Sequence, residues 1–355
     1  MDLLPIIWFI AIAVLWTGYF VLEGFDFGVG ALLPVLGRGA DADADRRVMI
    51  NAIGPVWDGN EVWLLTAVGA TFAAFPAWYA GLLSSFYLPL LLVLLALIVR
   101  GVAFEYRGKL TPSSTGPADP RTIATWRARW DAAIVAGSVV PAFIWGALFA
   151  TVLRGLEFTP EGKVVAGPLD IAHPVGLLGG LTTLALFALH GAVFLALKTD
   201  GPIRTRARST ALFIAPVATL LLGGLLAWIQ LARGNAWTGA VSVVAVLAVG
   251  AAALTISRRR EGWAFVATAV AIVGMAVAVF GSLFPYALPA AGDTGGLTIT
   301  EAASGPYTLT MMTWVAVVFL PVVLAYQAWS YWVFRRRITR ELVTAERVGE
   351  RVTVG

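Results

Sequence analysis

The chain has 355 residues, 59% hydrophobic and 13% charged, with a mean hydropathy of +0.82, far from the composition of a soluble domain. It has no cysteine and two histidines, His173 and His190, which excludes disulfides, iron–sulfur clusters, thiolate metal sites and covalent c-type haem. A net charge of +4 and a pI near 9.6 resemble a nucleic-acid binder's until the basic residues are placed along the chain.

A bilayer core of about 30 Å takes roughly 20 apolar residues of helix. Windows of that kind predict nine spans, near 4–34, 50–74, 78–103, 130–153, 173–197, 210–231, 237–256, 263–284 and 308–334. The N-terminus, Met1-Asp2-Leu3-Leu4-Pro5, has no basic n-region and leads into an apolar stretch too long for a signal peptide, so no cleavage is expected. The first span carries Glu23 and Asp26 in Glu23-Gly24-Phe25-Asp26-Phe27-Gly28. Gly24 and Gly28 form a small-xxx-small pair suited to close helix approach. The second span carries Asp58 and Glu61 in Trp57-Asp58-Gly59-Asn60-Glu61-Val62-Trp63. Within each pair the carboxylates are three residues apart, which places them on one helical face, and Asn51 extends the second stripe by two turns. Trp57 and Trp63 flank these carboxylates and can shape a pocket. Arg100, at the end of the third span, either snorkels to the interface or reaches one of the carboxylates. The fifth span opens with an interfacial His173 beside Pro174 and holds His190 well inside, where a buried polar contact is expected. The loops 104–129 and 285–307 are rich in Pro, Gly, Ser and Thr and too short for cores of their own.

Lysine and arginine orient the set. Three fall in 37–49, six in 100–129, four in 198–208, three in 257–261 and six after 334, leaving only Arg154, Lys163 and Arg233 in the alternate loops. The N-terminus is therefore expected outside, and residues 335–355 form a cytoplasmic basic tail whose Arg335-Arg336-Arg337 anchors to headgroups. The predicted fold class is all-α: a single integral membrane domain over 1–355, with two four-helix bundles and one peripheral helix. The bilayer is its solvent and no nucleic-acid partner is expected.

The four carboxylates are the most informative residues. At about 2.5–3.5 kcal/mol each near the bilayer centre, they would together cost roughly 10–14 kcal/mol in lipid, comparable with a whole protein's net stability. They must face another helix, a hydrated seam or a partner, serving either as a proton or ion path or as helix-to-helix glue.

The run Glu23 to Gly30, then Arg46-Arg47, Met49-Ile50-Asn51 and Trp57 to Trp63, resembles subunit II of the cytochrome bd quinol oxidases. The likeness continues through Phe72-Ala73-Ala74-Phe75-Pro76, Tyr79-Ala80, Phe86-Tyr87, Arg100 and Phe104-Glu105-Tyr106-Arg107. It implies a bacterial membrane subunit without a redox centre of its own, paired with a larger subunit I that holds haem b and haem d, oxidises quinol and reduces oxygen. It leaves room for a small single-span subunit and for a structural quinone in this chain. By the same resemblance Asp58 belongs to a proton path, while Asp26 and Arg100 shape the subunit or its quinone contacts. Their positions add Glu61 and Asn51 to the expected proton path, and Glu23, Trp57 and Asn60 to the expected structural or quinone-pocket set. Many relatives have Asp and Gln where this chain has Glu23 and Glu61. Two other readings stay open on the residues alone: a proton-coupled secondary transporter, and a purely structural scaffold.

Overall fold

Apolar runs of this length form helices because no backbone polar group can be left unpaired in hydrocarbon. The computed structural model describes residues 3–110, 119–162, 164–167, 169–293 and 295–341. In chain order the elements are α1 (Leu3–Ala31), α2 (Leu33–Leu36), α3 (Ala42–Ile53), α4 (Trp57–Ala74), α5 (Pro76–Ser85), α6 (Tyr87–Tyr106) and α7 (Pro120–Arg154). There follow β1 (Glu157–Phe158), β2 (Val164–Val165), α8 (Pro174–Lys198), α9 (Pro202–Arg233), α10 (Ala236–Ser257) and α11 (Glu261–Leu283). The chain then runs through β3 (Tyr286–Pro289), β4 (Gly296–Thr298), α12 (Ile299–Ala302) and α13 (Pro306–Val333). Proline occupies the first turn of α5, α7, α8, α9 and α13, where its missing N–H has no helical partner to lose.

Among the described residues eight helices are individually long and apolar enough to cross a bilayer, and α4 with α5 makes a ninth as a pair bent by 119°. Two prolines move the expected boundaries. Pro55 lies in the turn after α3, so the helix carrying Asp58 starts at Trp57 and Asn51 sits on a separate helix. The expected continuation of the Asp58 stripe through Asn51 is therefore corrected: Pro55 has no N–H to carry one helix through. Pro76 starts α5 as its own segment, and the third crossing is α6 rather than 78–103. Half of the segment expected as the 104–129 loop is helical, because α6 runs on to Tyr106 and α7 begins at Pro120 under an Asp119 cap that accepts from Arg121 N at 3.2 Å. Residues 342–355 of the basic tail, Lys163 and residues 111–118 lie outside the described residues.

The helices group as expected. One bundle is α1, α4, α6 and α7; the other is α8, α9, α10 and α11; α7 and α1 join them by packing on α8. The join is tight at Gly28 and Gly191, where a side-chain carbon on either would run into the other helix's backbone. The peripheral helix α13 touches α1 and α4 and is exposed along almost its whole length.

The basic connections meet at one end of the molecule. Asp131 accepts from Arg46 at 3.1 Å and from Arg107, and Asp43 from Arg127 at 2.6 Å and Arg107 at 3.0 Å. Asp45 pairs with Arg206 at 2.8 Å and with Arg340, which ties the end of the described chain to α3. The opposite end is capped by the two β-hairpins, α5 and α12. There Ser304 holds the end of α4 by donating to Ala73 O and Ala74 O at 2.7 and 2.8 Å. Arg233 donates to Leu153 O at 2.7 Å and Ala290 O at 2.8 Å.

Candidate functional site

Glu23, Asp26, Asn60, Glu61 and Arg100 meet where α1, α4 and α6 converge. At 1.5 Å per residue, Glu61 lies about 6 Å from the cytoplasmic start of α4, Arg100 about 9 Å from the end of α6 and Glu23 about 12 Å from the end of α1. The site thus lies nearer the end of the molecule where the basic connections meet. Glu23, Asp26, Asn60 and Arg100 are completely buried. The Arg100 guanidinium donates from Nη1 to Glu23 and, at 3.4 Å, to Glu61. It lies 4.9 Å from the centre of the Phe27 ring and 5.2 Å from that of Phe104, aromatic faces that favour a cation in a dry setting. Of the two sequence alternatives for Arg100, the structure selects the carboxylates. Trp57 packs on Phe104 with centroids 5.0 Å apart and so backs the guanidinium from one layer away.

Asn60 is the hub of the second half. Its Nδ2 donates to Asp26 Oδ2 at 2.7 Å and Leu22 O at 3.3 Å. Its Oδ1 accepts from Tyr331 OH at 2.8 Å and Gln327 Nε2 at 3.2 Å. Gln327 and Tyr331, four residues apart on α13, were not among the sequence candidates. The signal was available, since they place an amide and a phenol on one face of an otherwise apolar helix. Glu23 Oε2, Asp26 Oδ1 and Arg100 Nε and Nη2 have no protein partner among the described residues, so the cluster keeps hydrogen-bonding capacity.

Asp58 and Glu61 part company. Glu61 turns inward, with 22% of its side chain exposed beside Arg100, whereas Asp58 is exposed on the surface of α4. Three residues span about 300° of a helix, and the remaining 60° is enough to separate an inward from an outward group. Asp58 makes no ion pair or hydrogen bond among the described residues. Asn51, on α3, is half-buried and makes no side-chain hydrogen bond to this cluster among the described residues.

His190 makes the expected buried contact. Its Nδ1 lies 2.6 Å from Thr268 Oγ1 and its Nε2 3.1 Å from Val21 O. His173 Nδ1 caps α8 by accepting from Val175 N at 3.3 Å. No cluster of three or more His, Cys, Asp or Glu side chains suited to a metal occurs among the described residues. The aromatic cavity between Trp16, Trp78, Tyr79 and Trp145 has room for about 40 Å³, one water rather than a quinone ring.

The fold and site define a class: a multi-span membrane protein whose first bundle buries an arginine among three carboxylates in the half nearer its basic connections, beside an exposed apolar helix. The sequence profile described as cytochrome bd terminal oxidase subunit II matches residues 4–334. The chain is 40% identical over 342 residues to cytochrome bd ubiquinol oxidase subunit 2 of Bacillus subtilis, covering 94% of this chain and 97% of that one. It is 33% identical over 379 residues to cytochrome bd-I ubiquinol oxidase subunit 2 of Escherichia coli, with 96% of each covered. Its fold matches the bd oxidase structure from Geobacillus thermodenitrificans with a TM-score of 0.73 at 18% identity, over 94% of this chain and 99% of that one. The chain belongs to the cytochrome bd terminal oxidase subunit II family. It is a subunit of a bacterial membrane oxidoreductase complex, which implies a partner subunit I and a haem-containing assembly.

Proposed function

We propose that this chain supports a subunit I carrying haem b and haem d on the face formed by α4, α6 and α13, and delivers cytoplasmic protons to it through Asp58 and Glu61. One observation carries the proposal: Asp58 is an exposed carboxylate in the first turn of a membrane helix, one turn before a carboxylate that reaches the buried arginine. An exposed charge there is stable against water or a companion chain and unstable against acyl tails. The surrounding face presents Leu65, Phe72, Leu92, Leu95, Trp314 and Trp329 outward, a large apolar surface of the kind a permanent partner covers.

Quinol oxidation releases protons and oxygen reduction consumes one per electron. Uptake from the cytoplasm with release outside charges the membrane without a pump. In this reading the Asp58 carboxylate exchanges a proton with cytoplasmic water and hands it to Glu61, whose carboxylate is held by Arg100 Nη1. The bonds from Tyr331 and Gln327 fix the Asn60 amide, which fixes Asp26 and the register of α4 against α1. In this reading the haems fall to subunit I, and His190, the histidine inside a span, spends both ring nitrogens within this chain. Quinol and oxygen are then substrates of the complex, not of this chain alone. Membership of an oxidase family disfavours the transporter reading.

In the purified complex, Asp58→Asn is expected to lower oxygen consumption at least tenfold while haem content per complex stays within about 20% of wild type, following the contribution of a positioned proton-transfer group. Loss of haem and assembly in parallel with activity makes Asp58 structural and defeats the proton-path reading.

A further inference from the structure

An open groove of about 480 Å³ lies at the cytoplasmic end of the second bundle, among Leu197, Arg260, Glu261, Trp263, Val266 and Arg337. Its walls are graded by depth. Arg260 precedes the first turn of α11 and Arg337 follows α13, both at the level of the other cytoplasmic arginines. Trp263 and Val266 lie one and two turns further into the membrane on α11, and both are exposed. Leu197, near the end of α8, completes the apolar side.

The charges do not cancel. Glu261 is already engaged by Arg204 at 3.0 Å and by Arg208. Arg260 and Arg337 have no ion pair or side-chain hydrogen bond among the described residues. Asp200, the nearby acid under the influence of Arg337, accepts from Gly201 N at 2.9 Å and from Arg204 at 3.4 Å. Two guanidiniums that make no ion pair, above an apolar, tryptophan-walled slot, match a phosphate carrying acyl chains, and a net negative headgroup suits them better than one with its own ammonium. The volume is too large for a bare ion and fits a headgroup with the first part of a chain.

We propose that this groove binds one anionic phospholipid of the cytoplasmic leaflet, its phosphate between Arg260 and Arg337 and an acyl chain along Trp263 and Val266. The site lies on the second bundle, away from the carboxylate cluster, so it is independent of the proton path.

The test uses the intact, delipidated complex titrated with phosphatidylglycerol or phosphatidylcholine brominated in the acyl chains, which quench nearby tryptophan fluorescence. The Trp263 signal is the quenched component that Trp263→Phe removes. Phosphatidylglycerol is expected to quench it at about twentyfold lower concentration than phosphatidylcholine, and R260Q/R337Q is expected to abolish that preference with the haem spectrum unchanged. Equal quenching by the two lipids in the wild type overturns the proposal, and so does a wild-type preference in R260Q/R337Q. Displacement of phosphatidylglycerol by inorganic phosphate overturns the lipid assignment in favour of a free-anion site. The wild-type comparison stands even if the double variant fails to assemble.

Discussion

Replacing Arg100 with Gln is expected to destabilise the chain by about 3–5 kcal/mol, the cost of removing one partner from a buried ion pair. The size follows from the surroundings. Arg100 and Glu23 are both fully inaccessible, so the stranded carboxylate has no water to turn to, whereas an exposed pair would lose about 0–1 kcal/mol. The change also strips the contact with Glu61 at 3.4 Å and the guanidinium from the Phe27 and Phe104 rings. Against a net stability of about 5–15 kcal/mol, a loss of this size is a large fraction of the whole. Neutralising the partner as well, in Glu23→Gln with Arg100→Gln, is expected to restore about 2–3 kcal/mol, because the penalty is the unpaired charge rather than the lost volume. Denaturant titration of the purified complex in detergent reads both values. A loss below about 1 kcal/mol in R100Q, or a double variant at least as unstable as the sum of its singles, refutes the view that the pair is buried and dry.

Tyr331→Phe removes one hydrogen bond to Asn60 and is expected to cost about 1 kcal/mol in the same titration. Gly28→Ala pushes a methyl into the backbone of α8 and is expected to cost about 1–3 kcal/mol or more, while Gly250→Ala, on α10 with open space around it, is expected to be neutral; complex yield and denaturation separate the two. The Thr298 backbone N–H, donating at 3.0 Å, holds the Glu301 carboxyl below its ordinary range. Because that pKa is depressed, the α12 capping box is fully formed at neutral pH and loosens as pH falls through the acidic carboxylate range. Hydrogen exchange at residues 299–302 is expected to speed up there relative to its normal pH trend, and no such change is expected in Glu301→Gln.

The long apolar helices were legible because bilayer thickness sets helix length and because an apolar window needs no partner to be recognised. Their ends were less so. Asn51 seemed to continue the Asp58 face by its spacing alone, yet a single proline at 55 divides the two helices, and local punctuation outweighs periodicity. The burial of Glu23 and Asp26 followed from the cost of charge in lipid, but their partners did not. Arg100 is 77 residues from Glu23, and hydropathy cannot say which way a long side chain at a span's end will turn. Gln327 and Tyr331 were overlooked because α13 reads as a lipid-facing helix, and only the fold brings them to Asn60, 267 and 271 residues away. His190 was easier, since a histidine in the middle of a span requires a polar contact wherever it packs.

Proton uptake itself tests the central claim most directly. In proteoliposomes with the complex oriented so that α4 starts on the dye side, an oxygen pulse to the reduced wild-type enzyme is expected to draw protons from that side as fast as oxygen is consumed. Asp58→Asn is expected to slow this uptake at least tenfold, with Glu61→Gln intermediate, while haem content is retained. Wild-type uptake from the dye side by an Asp58→Asn complex with full haem would contradict the account.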